Sequence, residues 1–592
     1  MSTVKKIFDI LATHKNLIIK QCLFAVMTAV FLFLIFYCVY PDVTVRVREF
    51  RKLIYISFIV QFSSLLFKQQ IRYIVSVYSF SAFLSLILLV YKLVYNAGVN
   101  VLSLKTYCFF IAISSLITML TTLGNRKIIP KIIGNVLALL SMFVVIVFFG
   151  YYVINGTWFC TDAILAIMQT NSNEALEYIS SNGRSSLLFS ILFFAILAIG
   201  WKNVNKKIEF INYSKYIYIY ICYSLIIFSL IACYKTKDNI VTNILANSQK
   251  YLTDYQAFEE QVKHRKNNIA ALEIKNIEST GVFVLVIGES QNRDNMHAYG
   301  YSRQNTPWLS SVKDSNNVLF FKRAYSCHTH TVPVLTYALT SKNQYNNNSL
   351  AKSASLLEMA ELAGYETVWI SNQVKYGAWD TPISVIANEA NQQFWYNDNR
   401  GESLLTNFHD EKLMDAFKNL KIKEKMLIVV HLMGNHGAYD NRYPKEFNKY
   451  GNDNNLNKYD NSILYNDYVV KNIFDNVRRL PNFQGMIYFA DHADAVQQGL
   501  SHDASQYVPA MTHIPMYMFF SNRYINSHKE QFTNLKKAES KMFTNDLVYN
   551  YMLSILGIYD ETSYEDTNDL TNANYNGKES RFRTLHGVRE LM

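Results

Sequence analysis

The chain has 592 residues, half of them hydrophobic, and a formal net charge of +11 at pH 7. A positive charge can indicate nucleic-acid binding, but no stripe of Lys and Arg and no nucleic-acid-binding motif is present, so nucleic acid is not an expected partner. The mean hydropathy is only +0.02, because apolar residues are concentrated in residues 1–235 while residues 236–592 have the mixture of a globular domain. The sequence therefore predicts a membrane part followed by a soluble part.

Apolar runs in the first part have the composition of membrane-spanning helices. They are residues 17–40, 53–67, 74–97, 106–123, 131–154, 186–200 and 215–233. A run of about 20 residues can span a bilayer as a helix, whereas 53–67 and 186–200 are short for this role. We therefore expect a transmembrane domain over residues 1–235 with five to seven helices. A cleavable signal peptide is not expected, because the first run is too long.

Basic residues between the apolar runs predict the orientation of the chain, since short cytoplasmic loops are rich in Lys and Arg. With seven crossings and the N-terminus inside, three clusters lie in the cytoplasm. These are Lys5, Lys6 and Lys15; Arg126, Lys127 and Lys131; and Lys202, Lys206, Lys207 and Lys215. The cluster Arg46, Arg48, Arg51 and Lys52 does not fit, which leaves the number of spans open. The loop 156–185 and everything after residue 235 are expected outside.

Two segments are predicted to lie between the membrane and the soluble part. The loop 156–185 is amphipathic, which predicts short helices at the membrane surface. Within it, Thr170 and Glu174 are four residues apart and would share a helix face, either solvated or in contact with lipid headgroups. Residues 236–278 are polar and rich in Lys, with a helical pattern around Tyr255, and predict a linker that lifts the soluble domain off the membrane.

The soluble part, residues 279–592, alternates predicted strands with predicted helices. This alternation predicts an α/β domain with a largely parallel central sheet and helices on both faces. Its organising strand is the run 282–287, six apolar and mostly β-branched residues, which Gly288 ends and Glu289 follows. Three further buried strands are predicted at residues 367–370, 426–430 and 486–490.

Polar or metal-binding side chains follow each of these four strands. They are Glu289; Ser371, Asn372 and Gln373; His431 to Gly437; and Asp491 and His492. Ligands of such sheets bind beyond the carboxyl ends of the strands, so one shared cleft is expected. Glu289, Asp491 and His492 offer the donors that zinc prefers, with a fourth position left open. His436 and His502 could bind a second metal, hold a phosphate or protonate a leaving group.

Hydroxyl groups that could act as nucleophiles lie in the segment 326–333, with the sequence SCHTHTVP. A threonine hydroxyl next to zinc can lose its proton and attack phosphorus. The segment has two threonines, Thr329 and Thr331, and Ser290 is a third hydroxyl close to the predicted metal ligands.

Several motifs occur in order along the chain. They are Gly288-Glu289-Ser290 with Arg293, Tyr299-Gly300-Tyr301, Thr306-Pro307, Cys327 to Thr336, His431 to Gly437, and Asp491-His492. Together they resemble the membrane phosphoethanolamine transferases, which belong to the alkaline phosphatase/sulfatase-like superfamily. The resemblance covers essentially the whole chain, including the apolar N-terminal part. Residues 363–373 and 377–380 look closer to the branch that modifies the lipopolysaccharide core than to the lipid A branch.

The resemblance implies a zinc-dependent phosphoethanolamine transferase of the bacterial inner membrane with its catalytic domain in the periplasm. Phosphatidylethanolamine would be the donor, and lipopolysaccharide core, lipid A or another envelope glycan the acceptor. The resemblance implies Thr331 as the nucleophile, with Glu289, Asp491 and His492 as zinc ligands beside it. One zinc ion is expected, and a second is left open. The residues expected to bind substrate or a second metal are His436, His502, Asn372, Gln373, Thr170 and Glu174.

Departures from the family pattern and rival functions narrow the prediction. The lipid A branch has a second cysteine where this chain has Tyr337, and relatives have Gly where it has Ala493. A sulfatase would need Pro and Arg at the positions of Thr329 and Thr331. A phosphoglycerol transferase of the lipoteichoic acid type shares the sheet, the metal and a threonine nucleophile, and is the main alternative. A transporter is less favoured, because the apolar runs lack buried charged residues.

Overall fold

A computed structural model describes residues 15–39, 47–95, 101–123, 128–156, 158–161, single positions between 163 and 209, and residues 215–237, 239–261, 265, 275–276, 280–374, 382–397, 408–559 and 564–591. The chain forms two compact units. The helical unit comprises Met1–Ile164 and Asn182–Gln249, and the α/β unit comprises Leu165–Ser181 and Lys250–Met592.

Apolar helices make up the described part of the helical unit. They are α1 (Lys15–Val39), α2 (Val47–Ser64), α3 (Gln70–Leu84), α4 (Leu86–Tyr95), α5 (Val101–Leu123), α6 (Ile128–Asn155), α7 (Lys215–Lys235) and the first part of α8 (Ile240–Glu260). Among the described residues, three stretches are long and apolar enough to cross a membrane: Gln70–Val90, Leu104–Leu123 and Ile128–Asn155. The predicted run 186–200 lies largely outside the described residues, so the number of spans stays a prediction.

Hydroxyl side chains are buried between these helices. Ser114 and Ser115 of α5 are fully buried, and Thr118 is almost so. The hydroxyl of Thr122 donates to the carbonyl oxygen of Thr118, one turn earlier in the same helix, and Thr121 bonds to Ile117 in the same way. Such bonds satisfy a polar group without water, and small hydroxyl residues let helices pack closely.

A seven-stranded sheet forms the centre of the α/β unit. Its strands are β1 (Val282–Gly288), β2 (Val318–Phe321), β3 (Glu366–Val374), β4 (Gln392–Asn397), β5 (Met426–His431), β6 (Phe483–Ala490) and β7 (Met516–Phe520). Their order is β2-β7-β6-β1-β5-β3-β4, and every neighbouring pair is parallel except the two that involve β7. The prediction of a largely parallel α/β sheet is confirmed, and the four predicted strands are the adjacent strands β6, β1, β5 and β3.

Both faces of the sheet are covered. Phe283, Leu285 and Ile287 of β1 belong to one apolar core, while the alternate residues of the strand belong to the other. The helices of this unit are the end of α8, α9 (Pro307–Val312), α10 (Thr331–Ala338), α11 (Leu356–Leu362), α12 (Pro382–Asn388), α13 (Met414–Asn419), α14 (Asn455–Val477), α15 (Asn522–Ser527), α16 (Lys529–Ala538) and α17 (Val548–Ile555). Successive strand residues point to opposite faces, which explains why β1 is apolar throughout.

Short two-residue pairings complete the unit. Lys275–Asn276 pairs with Ile558–Tyr559, Ala324–Tyr325 with Phe543–Thr544, and Arg583–Thr584 with Arg589–Glu590. The last pairing forms a hairpin near the C-terminus.

The segment predicted as a linker contributes to the α/β unit, which extends back to Lys250. Phe258 of α8 is fully buried in one of the two cores. Arg265 is buried between two acids, with its Nε 2.9 Å from Glu358 Oε2 and its Nη2 3.1 Å from Glu389 Oε1. These contacts fasten the segment that precedes β1 to the domain.

Candidate active site

Four side-chain groups meet at the carboxyl edge of the sheet because the strands that carry them are adjacent and parallel. In the register of the sheet Gly288 is opposite Ala490, so Glu289 and Asp491 follow side by side. On the other side of β1, Ile287 is opposite His431. The sheet therefore brings distant parts of the sequence together, as the strand pattern predicts.

The centre of the site is a buried cluster of two acids, one imidazole and one hydroxyl. The Thr331 hydroxyl donates to Glu289 Oε2 at 3.1 Å and lies 3.4 Å from His492 Nε2. His492 Nε2 is also 3.3 Å from Glu289 Oε1 and 3.3 Å from Asp491 Oδ2. The side chains of both acids and the histidine are at most 1% exposed. Glu289, Thr331 and His492 are thus in mutual contact, and Asp491 joins them through His492.

Backbone geometry at the end of β1 shapes this cluster. Ser290 has a φ of 54°, which non-glycine residues rarely adopt. Its amide donates to Asp491 Oδ1 at 3.0 Å, and its hydroxyl donates to Glu289 Oε1 at 2.8 Å. Gly434 packs against the same turn, where a Cβ atom would lie 2.9 Å from the Glu289 nitrogen. The close approach and the positive φ of Gly434 together require glycine at this position.

Thr331 is placed by the nucleophile segment, which we define as residues 326–338. Thr331 is the first residue of α10. Asn545 fixes the segment to the end of β6, because its side chain accepts from the Cys327 amide at 2.9 Å and donates to the Asp491 carbonyl oxygen at 2.6 Å. The segment that carries the predicted nucleophile and one predicted metal ligand therefore share an anchoring residue.

The electrostatics of the cluster favour the binding of a cation. Burial raises the pKa of Glu289, and burial together with the Glu289 charge raises the pKa of Asp491 to about 8. Burial lowers the pKa of His492 to about 4, so its imidazole is neutral at pH 7. Asp491 Oδ2 and His492 Nδ1 have no hydrogen-bond partner. One ligand atom from each of Glu289, Asp491 and His492 lies within 4.8 Å of the others, a donor set that fits zinc.

A second group of ligating side chains adjoins the first. His502 Nδ1 lies 2.6 Å from Asp494 Oδ1, and the Tyr439 hydroxyl donates to Asp494 Oδ2. Burial lowers the pKa of His502, but the Asp494 carboxylate outweighs this effect and raises it to about 9. The rings of His502 and His492 are 4.3 Å apart, and His492, Asp494 and His502 form another potential metal-binding group.

Other hydroxyl and imidazole groups around the site differ in their contacts. His436 Nδ1 has no hydrogen-bond partner, and burial lowers the His436 pKa to about 3. His436 belongs to neither of the two potential metal-binding groups found among the described residues. The Thr329 hydroxyl lies 3.1 Å from His330 Nδ1, and the His330 ring is 5.4 Å from that of His502.

The two amides predicted as substrate-binding residues have different surroundings. Gln373 Nε2 donates to the Leu432 carbonyl oxygen at 2.8 Å and lies 3.5 Å from Glu289 Oε2, at the margin of the cluster. Asn372 is fully buried, and its Nδ2 donates to Asp410 Oδ1 at 2.9 Å. The Asn372 Oδ1 accepts a hydrogen bond from a neighbouring asparagine, so both polar atoms of the Asn372 side chain are bonded within the protein. Thr170 and Glu174 lie outside the described residues.

Three supporting residues carry no strong signal in the sequence. Asp410 accepts from the amides of Met433 and Gly434 at 2.9 and 2.8 Å and so shapes the loop after β5. Asn545 and Tyr439 act in the same way on other loops of the site. Each is far in sequence from the residue it supports, which is why no spacing rule could identify it. Asp494 carries a weak signal, because it lies three residues after Asp491.

Comparisons with known proteins find chains of similar sequence and structure. Residues 282–558 match the family model described as Sulfatase. Phosphoethanolamine transferase EptC of Escherichia coli O18:K1:H7 is 28% identical over 493 residues, 76% of this chain and 83% of EptC. The crystal structure of the C-terminal periplasmic domain of EcEptC from Escherichia coli, in complex with Zn, is 26% identical, with a TM-score of 0.48 over 52% of this chain and 91% of that chain.

The integral membrane protein lipooligosaccharide phosphoethanolamine transferase A (EptA) from Neisseria meningitidis matches over almost its whole length. The match covers 87% of this chain and 97% of that chain, with a TM-score of 0.55 and 18% identity. The two proteins share one fold, in which apolar N-terminal helices are followed by a sulfatase-like domain. The predicted resemblance to the membrane phosphoethanolamine transferases is confirmed, and the higher identity to EptC is consistent with the predicted branch.

Proposed function

We propose that this chain, a relative of the membrane phosphoethanolamine transferases, transfers phosphoethanolamine from phosphatidylethanolamine to lipopolysaccharide or another envelope glycan. It would lie in the bacterial inner membrane, with residues 1–235 as a multi-pass domain and residues 279–592 as the periplasmic catalytic domain. Support comes from the names of its relatives and from the apolar helices of the first unit. A phosphoglycerol transferase and a transporter are not favoured by these relatives.

The observation that carries the proposal is the contact of Thr331 with both Glu289 and His492. Two other hydroxyls lie near the cluster. The Ser290 hydroxyl donates to Glu289, and the Ser290 amide donates to Asp491. The Thr329 hydroxyl is hydrogen-bonded to His330. Thr331 alone among these three also lies at the beginning of a helix, where the helix dipole favours negative charge. This combination favours Thr331 as the nucleophile.

Zinc fits the donor set and completes the proposed site. Glu289, Asp491, His492 and Thr331 would hold the ion, which would supply positive charge that stabilises charge developing on the phosphoryl oxygens. The proposal requires one ion. The adjoining pair of Asp494 and His502 would act on the substrate and not on a second metal. The ion pair between them keeps His502 protonated, and a protonated imidazole does not bind a metal.

The proposed reaction has two steps. In the first, Thr331 Oγ1 attacks phosphorus as the bond to the diacylglycerol oxygen breaks, and Glu289 Oε2, which accepts the hydrogen bond from the attacking hydroxyl, takes its proton. His502 Nε2 gives a proton to the leaving oxygen, so phosphoethanolamine remains on the threonine. In the second step an acceptor hydroxyl or phosphate attacks the same phosphorus. His502 takes a proton from a hydroxyl acceptor, or from water when the acceptor is a phosphate. Glu289 returns its proton to Thr331 Oγ1 as the bond from that oxygen to phosphorus breaks.

Residues around this centre are proposed to bind the two substrates. His436 and Gln373 lie near the cluster and would hold the phosphoryl oxygens through ring and amide N–H groups. Thr170 and Glu174 would contact the lipid headgroup at the membrane surface. Asn372 would act indirectly, through its hydrogen bond to Asp410 and the loop after β5.

The choice of donor tests the proposal against its nearest alternative. The full-length protein would be placed in vesicles of phosphatidylethanolamine or phosphatidylglycerol together with lipopolysaccharide, and released diacylglycerol and modified glycan would be measured by mass spectrometry. We expect diacylglycerol and a phosphoethanolamine-modified glycan from the first vesicles only. Equal or faster release from phosphatidylglycerol would instead identify a phosphoglycerol transferase.

A further inference from the structure

The hairpin near the C-terminus has a strained tip. The hairpin pairs Arg583–Thr584 with Arg589–Glu590. Just after the first strand, two consecutive non-glycine residues, Leu585 and His586, have φ values of 50° and 52°. Residues with side chains rarely adopt this left-handed conformation, and it persists where surrounding contacts determine it. Surrounding contacts must therefore hold the tip in this conformation.

Hydrogen bonds join His586 to the nucleophile segment on both sides of Thr331. The His586 amide donates to the carbonyl oxygen of Cys327 at 3.2 Å. His586 Nε2 lies 3.2 Å from the carbonyl oxygen of Pro333. A carbonyl oxygen only accepts, so Nε2 carries the proton in this bond. Thr331 lies between these two anchor points in the sequence.

The imidazole ring of His586 makes a further contact with α10. It stacks on the ring of Tyr337 in the last turn of the helix, with centroids 3.9 Å apart and planes 4° apart. Burial lowers the pKa of His586 to about 4, so the ring is neutral at pH 7. The helix that begins with Thr331 is thus held at its first turn by a hydrogen bond and at its last turn by a stacked ring.

The rest of the hairpin supports this arrangement. The Thr584 hydroxyl donates to the carbonyl oxygen of Ser326 at 3.0 Å, at the start of the nucleophile segment. The Gly587 amide donates to Gln344 Oε1 at 2.8 Å, and Gln344 Nε2 donates to the Arg583 carbonyl oxygen at 3.1 Å. The tip is therefore fixed through its first strand and through Gly587, which makes it a firm support.

We propose that His586 is a positioning residue, which holds Thr331 Oγ1 in place against Glu289 and His492 through its contacts on either side of the threonine. This inference rests on the proposed function, because it takes Thr331 as the nucleophile. Attack on phosphorus needs an aligned oxygen, and a displacement of about 1 Å can cost about 100-fold in rate. Loss of His586 therefore lowers turnover and leaves donor binding almost unchanged.

Three variants of the full-length protein test the inference. His586→Ala removes the side-chain hydrogen bond to Pro333 and the stack on Tyr337, and keeps the backbone hydrogen bond to Cys327. His586→Phe keeps a ring on Tyr337 but removes the Nε2 donor. His528→Ala is the matched control, since His528 stacks on Tyr524 with centroids 4.3 Å apart and its polar contacts are with Ser527 and Tyr524. We expect kcat to fall about 10- to 100-fold in His586→Ala and less in His586→Phe, with KM within about twofold. His528→Ala should keep the wild-type kcat.

Hydrogen–deuterium exchange of residues 326–338 gives a second measure that does not depend on activity. We expect faster exchange in both His586 variants and unchanged exchange in His528→Ala. Wild-type kcat and exchange in His586→Ala would overturn the inference. If that variant does not fold, the same result in His586→Phe would overturn it. An equal fall in kcat in His528→Ala would also contradict it. A wild-type protein without transferase activity would refute the proposed function, and the exchange measurement would still decide the role of His586.

Discussion

The two units of the molecule differ in which side chains they bury. In the helical unit, α6 exposes large apolar residues such as Leu140 at 58% and Phe143 at 60%, while hydroxyl groups lie inside. In the α/β unit the apolar residues form two cores, and charged and imidazole groups, among them Glu289, Asp491 and His492, are buried at one edge of the sheet. The apolar exterior of the helical unit suits a lipid environment, because exposing apolar groups to lipid has no free-energy cost. The buried acids of the α/β unit require a compensating charge, because buried carboxylates are costly alone.

The largest expected effect comes from removing one of the buried acids. Asp491→Asn should reduce bound zinc and lower transfer on the order of 1,000-fold, because the amide is a weaker ligand and removes negative charge from the donor set. Metal analysis and a transfer assay on the same preparation would measure both. The control is Asp475→Asn, which changes a surface acid paired with Lys471 at 2.7 Å. Wild-type transfer by protein stripped of metal would contradict the proposed role of zinc.

A second test concerns where the α/β unit begins. A fragment of residues 250–592 should be more stable than one of residues 279–592, since the shorter fragment leaves Glu358 and Glu389 buried without Arg265. Arg265→Met in the longer fragment should lower the free energy of unfolding by about 3–5 kcal/mol, because it leaves uncompensated buried charge. Denaturant titration would measure this change.

The matched control for Arg265 is an arginine in an exposed ion pair. Arg323→Met removes the partner of Glu579, where both side chains are at least 34% exposed. Exposed pairs contribute at most about 1 kcal/mol, so only a small change is expected. Equal stability of the two fragments would show that residues 250–278 are a linker, as the composition of 236–278 predicts.

A smaller effect should separate the outer surfaces of the two units. Leu140→Lys places a charge on an exposed apolar position of α6 and should disfavour membrane integration by about 2.5–3.5 kcal/mol. Ile422→Lys changes an apolar residue of the α/β unit that is 38% exposed, and should alter stability by about 0.5 kcal/mol or less. The integrated fraction of each variant can be measured by membrane fractionation. Full integration of Leu140→Lys would place that face of α6 away from lipid.

The contrast also explains which parts of the fold the sequence predicts. A strand buried on both faces leaves a continuous apolar run, so the run 282–287 and three similar runs predict the four central strands. The strands β2 and β7 are apolar runs as well, but no metal-binding side chain directly follows either of them, so the pattern that predicts the cleft does not include them. The burial of Arg265 could not be predicted, because one basic residue among several in a Lys-rich polar stretch gives no sign of a distant acidic partner.

The candidate site also has residues that the sequence predicts and residues that it does not. Glu289, Asp491 and His492 directly follow strands, so their convergence could be predicted from chain order alone. The placement of Thr331 relied on a family resemblance, since the residues by themselves left Thr329 and Ser290 open. Asn545 and Asp410 could not be predicted, because each supports a loop through contacts that only the folded chain creates.

The central claim is that Thr331 carries the phosphoethanolamine group between donor and acceptor. The most direct test is to incubate the full-length protein with phosphatidylethanolamine vesicles in the absence of acceptor and to map the adduct by peptide mass spectrometry. We predict an adduct on the peptide containing Thr331, its loss in Thr331→Ala with zinc largely retained, and its persistence in Thr329→Ala. An adduct on Ser290, or an active Thr331→Ala protein, would contradict the claim.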